Sequence, residues 1–171
     1  MQIKFANFWS TLVFVIAFSL PSVAQLGDDE INYDTRVKNA LEEADLKYSI
    51  ADNGNFKLVF ELDSKRTQLV IIKSGTFEYG GMEIREIISI AAKSDNKKFF
   101  KRDLLFDVLE RNETYKLGAW QIDGGEAPYF LEFSIKISAN ANPDVLKQVL
   151  FLASKVADEL EEELSGDADE Y

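Results

Sequence analysis

The run YFLEFSIKIS at residues 129–138 constrains the fold more than any other stretch. Tyr129, Leu131, Phe133, Ile135 and Ile137 alternate with Phe130, Glu132, Ser134, Lys136 and Ser138. Side chains of a strand point to opposite faces in turn, so the first set needs a core and the second does not. A half-buried strand of this kind belongs to an antiparallel sheet with helices on one face. A helix follows at once: Pro143 suits the first helical position and Asn142 the N-cap. At about 100° per residue, Val145, Val149, Leu152, Ala153, Val156, Leu160 and Leu164 share an arc flanked by Leu146, Leu150 and Ala157, and that arc is the expected core face.

The other elements read the same way. Tyr33, Val37, Ala40, Leu41 and Ala44 recur at helical spacing over 29–44, with Asp28, Asp29 and Glu30 near the positive end of the dipole. Strands are expected at 48–52 and 56–63 around Asn53-Gly54, a two-residue hairpin signal. In the second, Phe56, Leu58, Phe60 and Leu62 share one face and Lys57, Val59, Glu61 and Asp63 the other. Two more strands are expected at 67–74 and 84–93, joined by TFEYGGM as a loop. Leu104, Leu105, Val108 and Leu109 mark a helix from about Lys101 to Arg111-Asn112, and strands follow at 117–123 and 129–138 around DGGEAP. The order α-β-β-β-β-α-β-β-α predicts an α+β domain, a single antiparallel sheet of about six strands with three helices. Residues 166–171 read as a disordered acidic tail.

Ahead of this domain, Lys4, an apolar run over 5–20 and Pro21-Ser22-Val23-Ala24 match the three parts of a secretory signal peptide cleaved after Ala24. A retained anchor fits less well, since Asn7, Ser10 and Thr11 interrupt a run that needs about 20 apolar residues to span. Export to the periplasm or medium is expected, leaving 25–165 as the domain. The chain has no cysteine, so its core does without disulfides. Its net charge of −11 keeps it soluble and repels phosphate backbones, which argues against nucleic acid and anionic membrane surfaces. Neutral, basic or apolar partners remain.

At RDLLFDVLERNETYKLGAWQIDGGEAPYFLEFSIKI the chain resembles the YbjN-like domain family, whose fold is similar to that of type III secretion chaperones. Leu104 to Asn112 resembles that family's leucine- and asparagine-rich helix, Gly118-Ala119-Trp120-Gln121-Ile122 its Gly-aromatic strand, and 142–164 its closing helix. The resemblance implies a small, acidic, non-enzymatic protein that acts through protein contacts, as a chaperone or regulator.

The residues themselves also argue against an enzyme. Histidine and cysteine are absent, removing the usual neutral-pH base, the thiol nucleophile and the common zinc ligands. No nucleophile elbow, P-loop or dinucleotide fingerprint is present. Carboxylates remain, and Glu86, Glu126 and Glu132 are the candidates for hydrolase chemistry, each with a plainer reading as a paired or solvated acid. Asp52-Asn53-Gly54-Asn55 offers oxygen ligands but lacks a calcium loop's length and terminal glutamate, and reads as a turn. No metal or cofactor is expected. Asn112-Glu113-Thr114 matches the glycosylation sequon. The favoured reading is a protein-binding module; the alternative is a small-molecule-binding envelope protein or a carboxylate-dependent hydrolase. Contact residues are expected at Val59, Ile87 and Phe130, on strand faces opposite the core, and at Phe151. That ring lies across the closing helix from its core arc, among Lys147, Lys155, Asp158 and Glu162, where it either folds along the lysine stems or meets a protein client or a second copy of the chain.

Overall fold

The computed structural model describes residues 31–62, 65–166 and 168–171. The signal-peptide expectation at 1–24, the acidic start expected for the first helix at 28–30, and Asp63 lie outside these residues. The described elements are α1 (Thr35–Glu43), β1 (Ser49–Ile50), β2 (Phe56–Glu61), β3 (Thr67–Tyr79), β4 (Met82–Ser94), α2 (Arg102–Arg111), β5 (Ala119–Asp123), β6 (Tyr129–Ser138) and α3 (Pro143–Ser165). One turn of 3-10 helix, Lys97–Phe99, precedes α2. The strands form one antiparallel six-stranded sheet ordered β1-β2-β3-β4-β6-β5, the expected α+β architecture.

Two cross-strand rows make the covered face. Phe56, Ile72, Ile87 and Ile135 stand side by side across four strands, and Leu58, Val70, Ser89, Phe133 and Trp120 across five. Leu146, Val149, Leu150, Ala153, Val156, Ala157 and Leu160 of α3 close over them, joined by Val37 and Leu41 of α1 and Val108 of α2. Ile87 is therefore core, with no exposed surface, which corrects its assignment to the outer face. The stretch IREIISI misleads because its even positions carry three isoleucines while the odd ones carry Arg85 and Ser89. Both polar side chains nonetheless face inward, each with partners. Ser89 Oγ donates to Leu69 O at 2.8 Å and accepts from Gln68 Nε2 at 3.0 Å, and Arg85 binds carbonyls of β3.

The arc of α3 is rotated from the expected one. Val145 and Leu164 are 44% and 39% exposed, while Asp158 and Glu161 are buried. Their cation is Arg66, 7% exposed, whose Nε lies 2.7 Å from Asp158 Oδ1 and Nη2 3.3 Å from Glu161 Oε2. The same guanidinium donates to Gly166 O at 3.3 Å and Ala168 O at 2.9 Å, and Glu170 N–H donates to Glu161 Oε1 at 2.7 Å. In the segment expected as a disordered tail, the buried arginine thus meets the carbonyls of Gly166 and Ala168 and the carboxylate of Asp169.

Local signals set the ends. Asp34 accepts from Arg36 N–H and starts α1, leaving Tyr33 ahead of the helix, and Asn142 accepts from Val145 N–H at 2.9 Å to start α3. Asn112 closes the outer edge of β5: its Oδ1 accepts from Trp120 N–H at 2.7 Å, and its amide contacts Trp120 O at 3.5 Å, so the nitrogen of the sequon is engaged. At the first hairpin Gly54 has φ +81°, and a Cβ there would stand 2.0 Å from Asn32 O. Gly54→Ala should destabilise the fold by more than about 1 kcal/mol, through both the left-handed backbone and the clash. Urea unfolding checks this, and an unchanged midpoint would refute the packing described.

Candidate protein-binding face

The outer face of the sheet holds the residues the core leaves out. It presents Lys57 and Val59 from β2, Leu69, Ile71 and Lys73 from β3, Glu86, Ile88 and Ile90 from β4, and Phe130, Glu132, Ser134 and Lys136 from β6. Apolar neighbours pair across it, Val59 with Leu69 and Ile71 with Ile88. The three helices pack their buried residues into the core on the opposite side, so no described helix covers this face.

Its centre is an ion cluster. Glu86 lies 3.0 Å from both Lys73 Nζ and Lys136 Nζ and accepts from Ser134 Oγ at 2.8 Å. Burial pushes the Glu86 carboxyl up, but Lys73, Ser134 and Lys136 more than reverse that and hold it at about 2. Glu132 is 1% exposed, and burial raises its pKa against one bond from Gln121 Nε2 at 2.8 Å. The two carboxyls are thus pushed apart, the pattern an acid–base pair requires. Here both are engaged internally: Glu86 is held by two ammonium groups and a hydroxyl, and Glu132 is sealed from any substrate arriving through solvent. Glu126 is exposed on the β5–β6 turn.

β3 and β4 outrun their neighbours. β2 pairs with β3 only as far as Ile72, and β6 with β4 only as far as Ile84. The two strands continue together as an arm: Thr76 stands opposite Arg85 and Phe77 opposite Ile84, whose other side still pairs with β6, and past them Glu78 stands opposite Glu83 and Tyr79 opposite Met82. Gly80 and Gly81, at φ +58° and +82°, make the two-residue turn that such a hairpin demands. Residues 73–75 stand opposite Glu86 alone, a bulge whose freed carbonyls, Lys73 O and Ser74 O, accept from Arg85 Nη1 at 2.7 and 3.0 Å. Arg85 is 2% exposed, and its other nitrogen pairs with Asp34 at the start of α1. Arg36 adds a forked pair to Glu83 at 2.6 and 2.7 Å; with Thr76 this holds the Glu83 carboxyl at about 2.

The arm is consequently two-sided. Thr76, Glu78, Glu83 and Arg85 share the face toward α1, and Phe77, Tyr79, Met82 and Ile84 share the outer face. Phe77, Tyr79 and Met82 are 64%, 73% and 58% exposed. Reading TFEYGGM as a loop missed them. The signal was there, in the apolar-polar alternation on either side of paired glycines.

Of the expected contact residues, Val59 is on the outer face and 64% exposed. Phe130 is on the same face, half-buried under Lys93, whose Nζ is 5.8 Å from the ring centroid, but β3 and β4 separate it from Val59. Phe151 is on the helical side, 48% exposed, with Phe60 at 6.5 Å and Lys155 Nζ at 5.7 Å from its ring. It lies along a lysine stem and a strand residue of its own chain. These positions therefore do not form one site. Asp52-Asn53-Gly54-Asn55 is a turn in which Asn53 Oδ1 accepts from Asn55 N–H at 3.1 Å. The carboxylates of Asp158, Glu161 and Asp169 converge, with Arg66 among them.

No family model matches the chain, and no curated protein matches it. Among solved structures it is similar to the crystal structure of YbjN from E. coli, at 10% identity and a TM-score of 0.47, over 75% of this chain and 89% of that one. The likeness is one of fold level only and says nothing of activity.

The raised Glu132 pKa has a definite sign. The group favours folding while protonated and costs stability once pH rises through its elevated pKa; Glu86, held near 2, works the other way and loses its contribution as pH falls from 4.5 toward that value. Glu132→Gln keeps the acceptor for Gln121 and removes the ionisation. It should raise Tm at pH 8 by roughly 2–4 °C, the shift about 1 kcal/mol produces in a domain of this size. The gain should shrink toward pH 4.5, and a variant less stable than wild type at pH 8 would contradict the assignment.

Proposed function

We propose that this chain is an exported, non-enzymatic module that binds other polypeptides on the outer face of its sheet, in a chaperone-like or regulatory role. One observation carries the reading: Phe77, Tyr79 and Met82, each more than half exposed, line one face of an arm whose other face is braced by ion pairs. A rigid, apolar, uncovered surface is the kind that marks protein contacts. Methionine and aromatic rings suit it to apolar segments of varied shape. The net charge of −11 supports a protein partner over nucleic acid. Export rests on Lys4, the apolar run and the small-residue exit at Ala24.

A photoreactive residue at Tyr79 should crosslink in cells to polypeptides other than this chain, while one at Glu78, on the opposite face of the same strand, should not. Phe77→Ser with Tyr79→Ser should weaken capture at least tenfold, since burying one phenylalanine contributes about 1.5–3 kcal/mol and each 1.4 kcal/mol is a factor of ten. Equal adducts from both faces, or capture indifferent to the double substitution, would overturn the reading.

A further inference from the structure

The arm carries an unpaired strand edge as well as an apolar face. Past Ile72 no described strand lies on the far side of β3, and Gly75, Phe77, Glu78 and Tyr79 are exposed. Elsewhere on the sheet's margins Asn112 bonds Trp120 at the edge of β5, and β1 pairs with Phe56 and Lys57, leaving 58–61 of β2 as the other stretch with no described strand beside it. An open edge is a template for another strand.

We propose that this edge pairs antiparallel with the same edge of a second copy, about a two-fold axis at Phe77, joining two sheets into one. The inference rests on reading the arm as a contact surface and names its partner. The order of side chains selects both partner and register. Directly opposite residues share a face, so a register offset by one residue would set Phe77 against Glu78 and break the apolar face. An axis at Glu78 would place two carboxylates directly opposite, a destabilising pair. An axis at Thr76 would bring the partner's Glu78 against Ser74, whose N–H already donates to Asn55 Oδ1 and whose hydroxyl donates to Gly54 O.

With the axis at Phe77 the outer-face pairs are favourable: Phe77 meets its own copy and Gly75 meets Tyr79. On the other face Thr76, whose hydroxyl already donates to Glu83 at 2.8 Å, meets Glu78, so no like charges stand directly opposite. Nothing lies within 4 Å of where a Gly75 Cβ would be, so an aromatic ring from across the strand has room to cover that glycine. The contact is isologous and therefore closes as a dimer. Both copies carry a charge of −11, so association should tighten as salt screens their repulsion.

The absence of cysteine makes the test clean. Residues directly opposite across strands have Cβ atoms about 4.5–5.5 Å apart, close enough for a disulfide after slight adjustment. Two Tyr79 positions would be four residue steps apart, about 13 Å, which is too far. The purified full chain carrying Phe77→Cys should oxidise to a covalent dimer in high yield, and Tyr79→Cys should not. Sedimentation of the wild type should show a dimer that strengthens with salt. A monomeric wild type with no Phe77→Cys crosslink overturns the proposal, as does equal crosslinking from both positions. Photocrosslinking from Ile71, on the body of the outer face and away from the edge, separates the two claims: client adducts from Ile71 alongside a monomer would leave the binding module standing and remove the dimer.

Discussion

A single guanidinium holds the distinctive part of this structure in place. Arg85 sits at a core-facing position of a central strand, where an unpaired charge would be costly, and it is tolerated because three acceptors meet it: Lys73 O, Ser74 O and the Asp34 carboxylate. Two of those acceptors are carbonyls that the bulge in β3 frees from the ladder. The third is the cap that starts α1. One side chain thereby sets the bulge, the beginning of the first helix and the angle at which two strands leave the sheet. Asp34 is held well below the usual carboxylate range, first by Arg36 and then by Arg85, so its carboxylate stays charged through any physiological pH.

The sheet divides the molecule into two kinds of surface. On the helical side Phe56, Ile72, Ile87 and Ile135 are buried under α3 with no exposed surface. On the other side apolar pairs alternate with an ion cluster; Glu86, Ile88, Glu132 and Ser134 at its centre are buried, while Val59 and the arm's Phe77, Tyr79 and Met82 are exposed. The arm extends that second surface past the ends of β2 and β6, while Arg36 of α1 braces its other face through Glu83. Folding needs the first face; the proposed partners need the second.

Much of this is legible in the residues. The strand at 129–138 and the helix opened by Pro143 follow from periodicity and capping, because there local preference and tertiary burial agree. Two misreadings, of β4 and of the arc of α3, share a cause, a polar side chain that finds a buried partner distant in sequence. Arg85 and Ser89 face inward, so alternation in IREIISI points Ile87 the wrong way. Arg66 lies far in sequence from Asp158 and Glu161, whose carboxylates it meets on the buried face of α3. TFEYGGM failed differently: two glycines read as a loop, although Phe77, Tyr79, Met82 and Ile84 carry the alternation of a hairpin. Phe151 was correctly set apart from the core arc, but its neighbours Phe60 and Lys155 belong to its own chain.

The central claim is that Arg85 fixes the arm that carries the exposed apolar face, and amide hydrogen exchange in wild type and Arg85→Lys tests it most directly. Lysine keeps the charge but cannot span two carbonyls and a carboxylate with a planar fork. The account predicts protected amides in 76–79 and 82–84 of the wild type. In the variant, protection there should fall by an order of magnitude or more while amides of β6 and α3 keep theirs. Unchanged protection along the arm would contradict the account.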